Sequence, residues 1–156
     1  MVVKGPTIGG NDGSAFELWR ENKPVEQLDI WYGPGTGDNF KQYTILKGIK
    51  VRWAGDKHGQ EEGHAGYCPN EDKERILHTS FDFESNGNDP LEWMDIYGST
   101  GRADSLRLVT HNERDYFEAG GIGGEKRVQP AGGRKLHGFY GKAGDDIDQL
   151  GGVFNN

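Results

Sequence analysis

One cysteine, Cys68, stands in 156 residues, so no internal disulfide framework holds this chain together and a reducing compartment suits it. Basic residues are the minority, 18 Lys and Arg against 25 Asp and Glu, for a formal charge of -7. That balance opposes sequence-independent binding to nucleic acid or to anionic membranes, both of which need a basic surface. Long apolar runs are also missing. No segment has the length of a transmembrane helix, and Met1–Pro6 lacks the apolar core of a secretory signal, so no membrane insertion and a cytoplasmic location are expected.

Glycine and aromatic residues are abundant. The 26 glycines mark many turns, while four Trp, six Tyr and seven Phe provide enough apolar area for a core. Turn-rich and aromatic-rich composition points to an all-β chain, and 156 residues form one domain, 1–156. Alternation supports this reading: Ile49, Val51 and Trp53 share one parity, Lys50 and Arg52 the other. Further strands are expected at Val25–Tyr32, Ile76–Phe83, Trp93–Tyr97, Leu106–Thr110 and Leu136–Tyr140. The polar stretch Ala54–Arg75 reads as a long connection or insertion departing from the core.

Three glycine-rich loops, Gly9–Gly13, Gly33–Gly37 and Gly120–Gly124, suggest equivalent corners of similar β units. A fourth glycine-gated segment, Gly141–Gly151, carries Asp145, Asp146 and Asp148 around Ile147. Glycines clear side chains from such a loop, and a fixed carboxylate beside backbone amides suits a neutral ligand rich in hydroxyls. Ile147 is expected to point into the core, with Asp146 and Asp148 together on the opposite side.

Gly5-Pro6 with Gly9–Glu17, then Ser105–Asn112, then His137–Gly141 with Gly144–Asp148 and Leu150-Gly151, together resemble the jacalin-related lectins. The resemblance implies a β-prism of three four-stranded Greek-key sheets with pseudo-threefold symmetry. It also implies a non-catalytic sugar site between the first glycine loop and the last loop, with no cofactor and no metal. Gly13 takes the place of the glycine whose amide meets the sugar. Gly144 opens the Gly-x-x-x-Asp motif, Asp145 and Asp146 supply amides, and Asp148 supplies the carboxylate. Asp12 stands where the family commonly has glycine, which narrows the pocket or alters its charge.

Two features favour mannose- or glucose-containing glycans over galactose: Met1–Thr7 runs continuously into the first glycine loop, and Asp145 replaces an aromatic of the galactose-selective members. No second motif is found around Thr44–Gly48, so one site per chain is expected, with the Gly98–Asp104 loop at its border. Weak binding by one site favours a homo-oligomer.

Other functions remain open at this level. A galactose-selective lectin and a protein-interaction module on the same fold are alternatives. So is a glycoside hydrolase in which Asp12, Glu17 or Asp104 opposes Asp148. Calcium at the Asp145–Asp148 cluster lacks a full ligand set. His58 and His64 are six apart around glycines, unlike a helical zinc pair, and His78, His111, His137, Ser14 and Ser105 show no catalytic partner. Trp31, Trp53 and Trp93 are expected in the core, with Trp19 left as a possible sugar platform; Cys68 is expected as an exposed bystander.

Overall fold

The computed structural model describes residues 1–55, 61–83 and 88–156. Every regular element among them is a strand: β1 (Val3–Lys4), β2 (Ile8–Gly9), β3 (Ser14–Trp19), β4 (Val25–Pro34), β5 (Thr44–Trp53), β6 (Glu62–Gly66) and β7 (Leu77–Asp82), followed by β8 (Leu91–Ser99), β9 (Arg102–Thr110), β10 (Tyr116–Gly120), β11 (Glu125–Val128), β12 (Lys135–Ala143) and β13 (Ile147–Asn155). They form three antiparallel sheets.

The second sheet runs β6-β5-β4-β7 and the third β10-β9-β8-β11. In each, three consecutive strands are followed by a fourth that returns beside the first, which is a Greek key. The first sheet repeats this order with both ends of the chain: β13 follows β12, β1 and β2 lie along β13, and β3 lies on β12. β1 and β2 are two pieces of a single edge, since Lys4 pairs with Val153 and Ile8 with Leu150. Between them the buried Gln129 side chain fills the gap, accepting from Gly152 N at 2.9 Å and donating to Pro6 O at 3.0 Å. Counted this way, each sheet has four strands, as the β-prism requires.

Alternation places one row of each strand inside. Ile49 and Val51 are fully buried and Trp53 nearly so, whereas Lys50 and Arg52 are half-buried on the outer face. Leu28, Ile30 and Ile49 of the second sheet meet Met94, Ile96 and Leu106 of the third and Phe139, Leu150 and Phe154 of the first in one apolar cluster. Trp53 Nε1 donates to His137 O at 2.9 Å, which satisfies the indole while joining the second sheet to β12.

Several expectations need correction. The Ala54–Arg75 stretch does not simply leave the core, because it contains β6, paired with β5 from Gly48↔Gly66 to Arg52↔Glu62. Its sequence, Glu62-Gly63-His64-Ala65-Gly66, has no β-branched or aromatic residue, so ladder bonds rather than propensity make it a strand. Cys68 is not an exposed bystander: it is half-buried beside the Ile49 and Ala65 carbonyls, and burial pushes its thiol up to about 11. Trp93 is only half-buried and tilts against Tyr116 on the outer face of the third sheet. Trp19 is itself in a strand, at the far end of β3 from Ser14. His58 lies outside the described residues.

Candidate functional site

The β12–β13 turn is built by Gly144 N donating to Asp146 O at 2.9 Å. Asp145 is exposed at its tip, and Ile147 is fully buried as the sequence pattern expects. The ladder then passes from Ala143↔Ile147 to Lys142↔Gln149, leaving Asp148 as the extra residue of a bulge. Bulges turn a side chain away from the regular alternation, and here it comes against the first glycine loop. A Cβ built on Gly13 would stand 2.6 Å from Asp148 Oδ2 and 2.7 Å from Ala143 O; one on Gly144 would stand 3.9 Å from both Asp148 Oδ2 and Gly13 Cα. With φ of 80°, Gly13 also holds a backbone conformation that side-chain-bearing residues adopt poorly. Gly13, Gly144 and Asp148 therefore converge, and among the described residues the Asp148 carboxylate is the one side chain within 4 Å of a Cβ built on Gly144.

Asp146 and Asp148 meet opposite environments. Asp146 is 6% exposed, accepts from Thr36 N at 2.9 Å and Thr36 Oγ1 at 3.0 Å, and is ion-paired with Lys47. Lys47 also donates to Pro34 O at 2.8 Å and to Thr36 Oγ1 at 3.1 Å. The expectation that Asp146 and Asp148 project together is thus corrected: the loop residue turns inward because a buried cation waits there. The Asp148 carboxylate receives no hydrogen bond from any described residue. Partial burial, then the charges of Asp146, Asp12 and Asp145, push its carboxyl up to about 6. The main-chain N–H groups of Asp145 and Asp146 likewise find no acceptor among the described residues. The site thus offers one acceptor carboxylate and two donors beside a glycine-cleared space.

Pseudo-threefold symmetry supplies an internal comparison. In the second sheet the bulge skips Lys47, between Trp31↔Gly48 and Tyr32↔Leu46; in the third it skips Asp104, between Tyr97↔Ser105 and Gly98↔Ala103. The carbonyls of Asp148, Lys47 and Asp104 accept from Gly10, Tyr67 and Gly121 at 2.8, 2.8 and 2.9 Å. Each donor follows a glycine of positive φ, namely Gly9, Gly66 or Gly120, at which a Cβ would strike that same carbonyl. Three like corners carry three unlike side chains. Lys47 is consumed by Asp146. Asp104 is 1% exposed and gripped through both oxygens by Arg102 Nε at 3.0 Å, with the guanidinium 3.8 Å from the Tyr43 ring. Among the described residues, only the first corner presents a carboxylate without a partner. The expected equivalence of three glycine-rich loops is thereby corrected: Gly9–Gly13 and Gly120–Gly124 do stand at like corners, but the second sheet has its corner at Gly66, while Gly33–Gly37 lies at the end of β4 and in the β4–β5 connection.

The Gly98–Asp104 segment forms the β8–β9 hairpin, whose tip abuts the first glycine loop: a Cβ on Gly10 would stand 2.6 Å from Gly101 Cα. Beside it opens a cleft of about 420 Å³ between Thr7–Gly9 and Ser99, Thr100, Glu125 and Arg127.

The remaining polar clusters have structural explanations. His78 Nε2 lies 2.8 Å from Asp29 Oδ1 and its ring stacks on Trp31, while the Ser80 hydroxyl also turns to Asp29. Ser80 Oγ stands 3.5 Å from the imidazole, so that histidine is poorly placed to activate it. His111 bonds Glu92, and His137 is buried with Nδ1 at the Arg20 carbonyl. Glu17 pairs with Lys4 on β3.

A family model described as the jacalin-like lectin domain matches residues 6–153. Among solved structures, the chain is similar to the wild-type Malaysian banana lectin, with 23% identity, TM-score 0.70 and 99% of each chain covered. It is similar to the Calsepa lectin solved in complex with a biantennary N-glycan, at 16% identity and TM-score 0.74, covering 100% of this chain and 97% of that one. A lamprey immune protein aligns at 18% identity and TM-score 0.75 over 99% of this chain, which spans 44% of that longer one. A mannose-binding jacalin-related lectin from Ananas comosus aligns at 16% identity and TM-score 0.66, covering 98% of this chain and 96% of that one. Comparison with curated protein sequences returned no match.

Proposed function

The chain belongs to the jacalin-like lectin domain family, and from that premise we propose that it binds mannose- or glucose-containing glycans, without catalysis, at the corner formed by Gly13, Gly144, Asp145, Asp146 and Asp148. The observation that carries this reading is the contrast between the three corners: only Asp148 keeps a carboxylate with its lone pairs open. An ionised carboxylate accepts two or more hydrogen bonds, so it holds two neighbouring hydroxyls at once and selects their geometry. The N–H groups of Asp145 and Asp146 would donate to the ring oxygen and primary hydroxyl, and the bare Cα of Gly13 lets the sugar approach the main chain. The mannose-binding Ananas comosus relative and the N-glycan complex of the Calsepa lectin support the choice of sugar class.

Glycoside hydrolysis needs two carboxyl groups across the scissile bond. Of the three carboxylates that could oppose Asp148, Glu17 is engaged by Lys4 and Asp104 by Arg102, which leaves the exposed Asp12 as the one a hydrolase reading would need. A monosaccharide held by a few exposed hydrogen bonds binds with Kd on the order of 1 mM, about -4 kcal/mol. Useful avidity then comes from homo-oligomers that present several sites. Calorimetric titration with methyl α-mannoside, methyl α-glucoside and methyl α-galactoside tests the reading. Saturable binding of the first two supports it; silence toward both, or release of products from oligomannosides, defeats it.

A further inference from the structure

Resting on that reading, we infer that Lys47 is a positioning residue of the saccharide site, holding the β12–β13 turn from a neighbouring sheet. Lys47 occupies the bulge of the second sheet that Asp148 occupies in the first. Its ammonium nevertheless serves the first corner, reaching Asp146 within the Gly-x-x-x-Asp turn itself. The side chains of the pair are only 7% and 8% exposed, so the contact is shielded from water and salt, unlike a surface ion pair.

The contact is also directional. Thr36 gives Asp146 two further donors, at Oδ2 from its amide and at Oδ1 from its hydroxyl, and Lys47 ties Thr36 and the Pro34 carbonyl into the same knot. Asp146 is thereby fixed at both oxygens, and its carbonyl in turn takes Gly144 N. The residues whose amides face the proposed sugar, Asp145 and Asp146, thus hang from a buried anchor in another sheet. Turns bearing glycine are otherwise mobile, and ordering one only on binding lowers affinity. An anchored turn is ordered beforehand.

The arrangement also separates the roles of the acidic residues. Lys47 pairs the carboxylate that would crowd Asp148 most directly, since Asp146 is the nearby charge contributing most to the raised Asp148 pKa. The cation remains buried, out of the sugar's way, and leaves the Asp148 oxygens uncommitted.

The test uses the full chain and the paired variant Lys47→Met/Asp146→Asn, which removes both charges and leaves no buried ion alone. Amide hydrogen exchange is followed by NMR alongside titration with methyl α-mannoside. The expected result is a cooperative fold, loss of protection confined to the Gly144 and Thr36 amides, which are the ones hydrogen-bonded to Asp146, and affinity roughly tenfold weaker, in keeping with a site loosened rather than removed. The single change Thr36→Val should shift both readouts the same way by less. If Lys47 were only structural, protection would fall throughout β12 and β13 and the sugar affinity of the folded fraction would hold. Wild-type protection of the Gly144 and Thr36 amides in the paired variant overturns the inference even if the wild-type chain binds no saccharide, whereas that silence alone defeats the site reading and leaves the exchange result to judge Lys47.

Discussion

Asp148 and Asp146 are two positions apart on one turn, yet the Asp146 carboxylate is buried among three donors while the Asp148 carboxylate accepts from no described residue. The bulge after Ile147 separates them, and it converts a run of acids into one anchor and one open acceptor.

Asp148→Asn tests this division. The isostere removes the full charge and should abolish measurable methyl α-mannoside binding. It should also raise the melting temperature, because a partly buried carboxylate surrounded by other acids is a net burden on the folded state at neutral pH. After allowance for solvent screening, the gain is on the order of 1 kcal/mol or less. Calorimetric titration and thermal melting of the same sample check both halves, and a lowered melting temperature counts against the crowded environment.

Acidification should weaken saccharide binding as pH falls through about 6, where Asp148 gains a proton. Protonation to 90% at pH 5 predicts a roughly tenfold loss of affinity relative to pH 8. The stability sign is opposite. Because the folded pKa lies above the ordinary value of 3.8, the contribution of this group is fully present below that ordinary value and is lost as pH rises through about 6. Affinity measured from pH 5 to 8 in the wild type, with melting temperatures of the wild type and Asp148→Asn over the same range, separates the two effects.

Gly13→Ala should lose binding and cost on the order of 1–2 kcal/mol of stability, since the added methyl group meets Asp148 Oδ2 and a φ of 80° disfavours alanine. Gly37→Ala is a useful control: it too has positive φ, 88°, but nothing lies within 4 Å of its added methyl, so strain without collision should leave the sugar affinity intact.

Cys68 should alkylate slowly. Its thiol is pushed from 9.0 to about 11, so the thiolate fraction near pH 8 is lower by about a hundredfold than for an unperturbed thiol. Iodoacetamide labelling of native and urea-unfolded protein compares them directly, and equal rates would contradict the half-buried position of the thiol beside the Ile49 and Ala65 carbonyls.

The legible parts of the sequence were those with strong side-chain patterning. β5 was visible in Ile49, Val51 and Trp53, and β4, β8, β9 and β12 in their aliphatic and aromatic runs. β6 was not, because Glu62–Gly66 becomes a strand through pairing with β5 and carries almost no apolar pattern of its own. β11 was missed for a related reason: all four residues of Glu125–Val128 are exposed, so an outer edge left no alternation to read. Within the candidate site, Gly13, Gly144 and Asp148 could be named from their motifs. The inward turn of Asp146 could not, since it depends on Lys47 and Thr36, which reach it only after two sheets have packed.

The first sheet draws β1 to β3 from one end of the chain and β12 and β13 from the other. During synthesis the second and third Greek keys have all their strands before β13 is made, while the opening strands wait for a partner. The corner holding Gly13 and Asp148 consequently cannot exist before β13 has been made and paired, and a glycan retained there would report that two stretches far apart in the chain had joined.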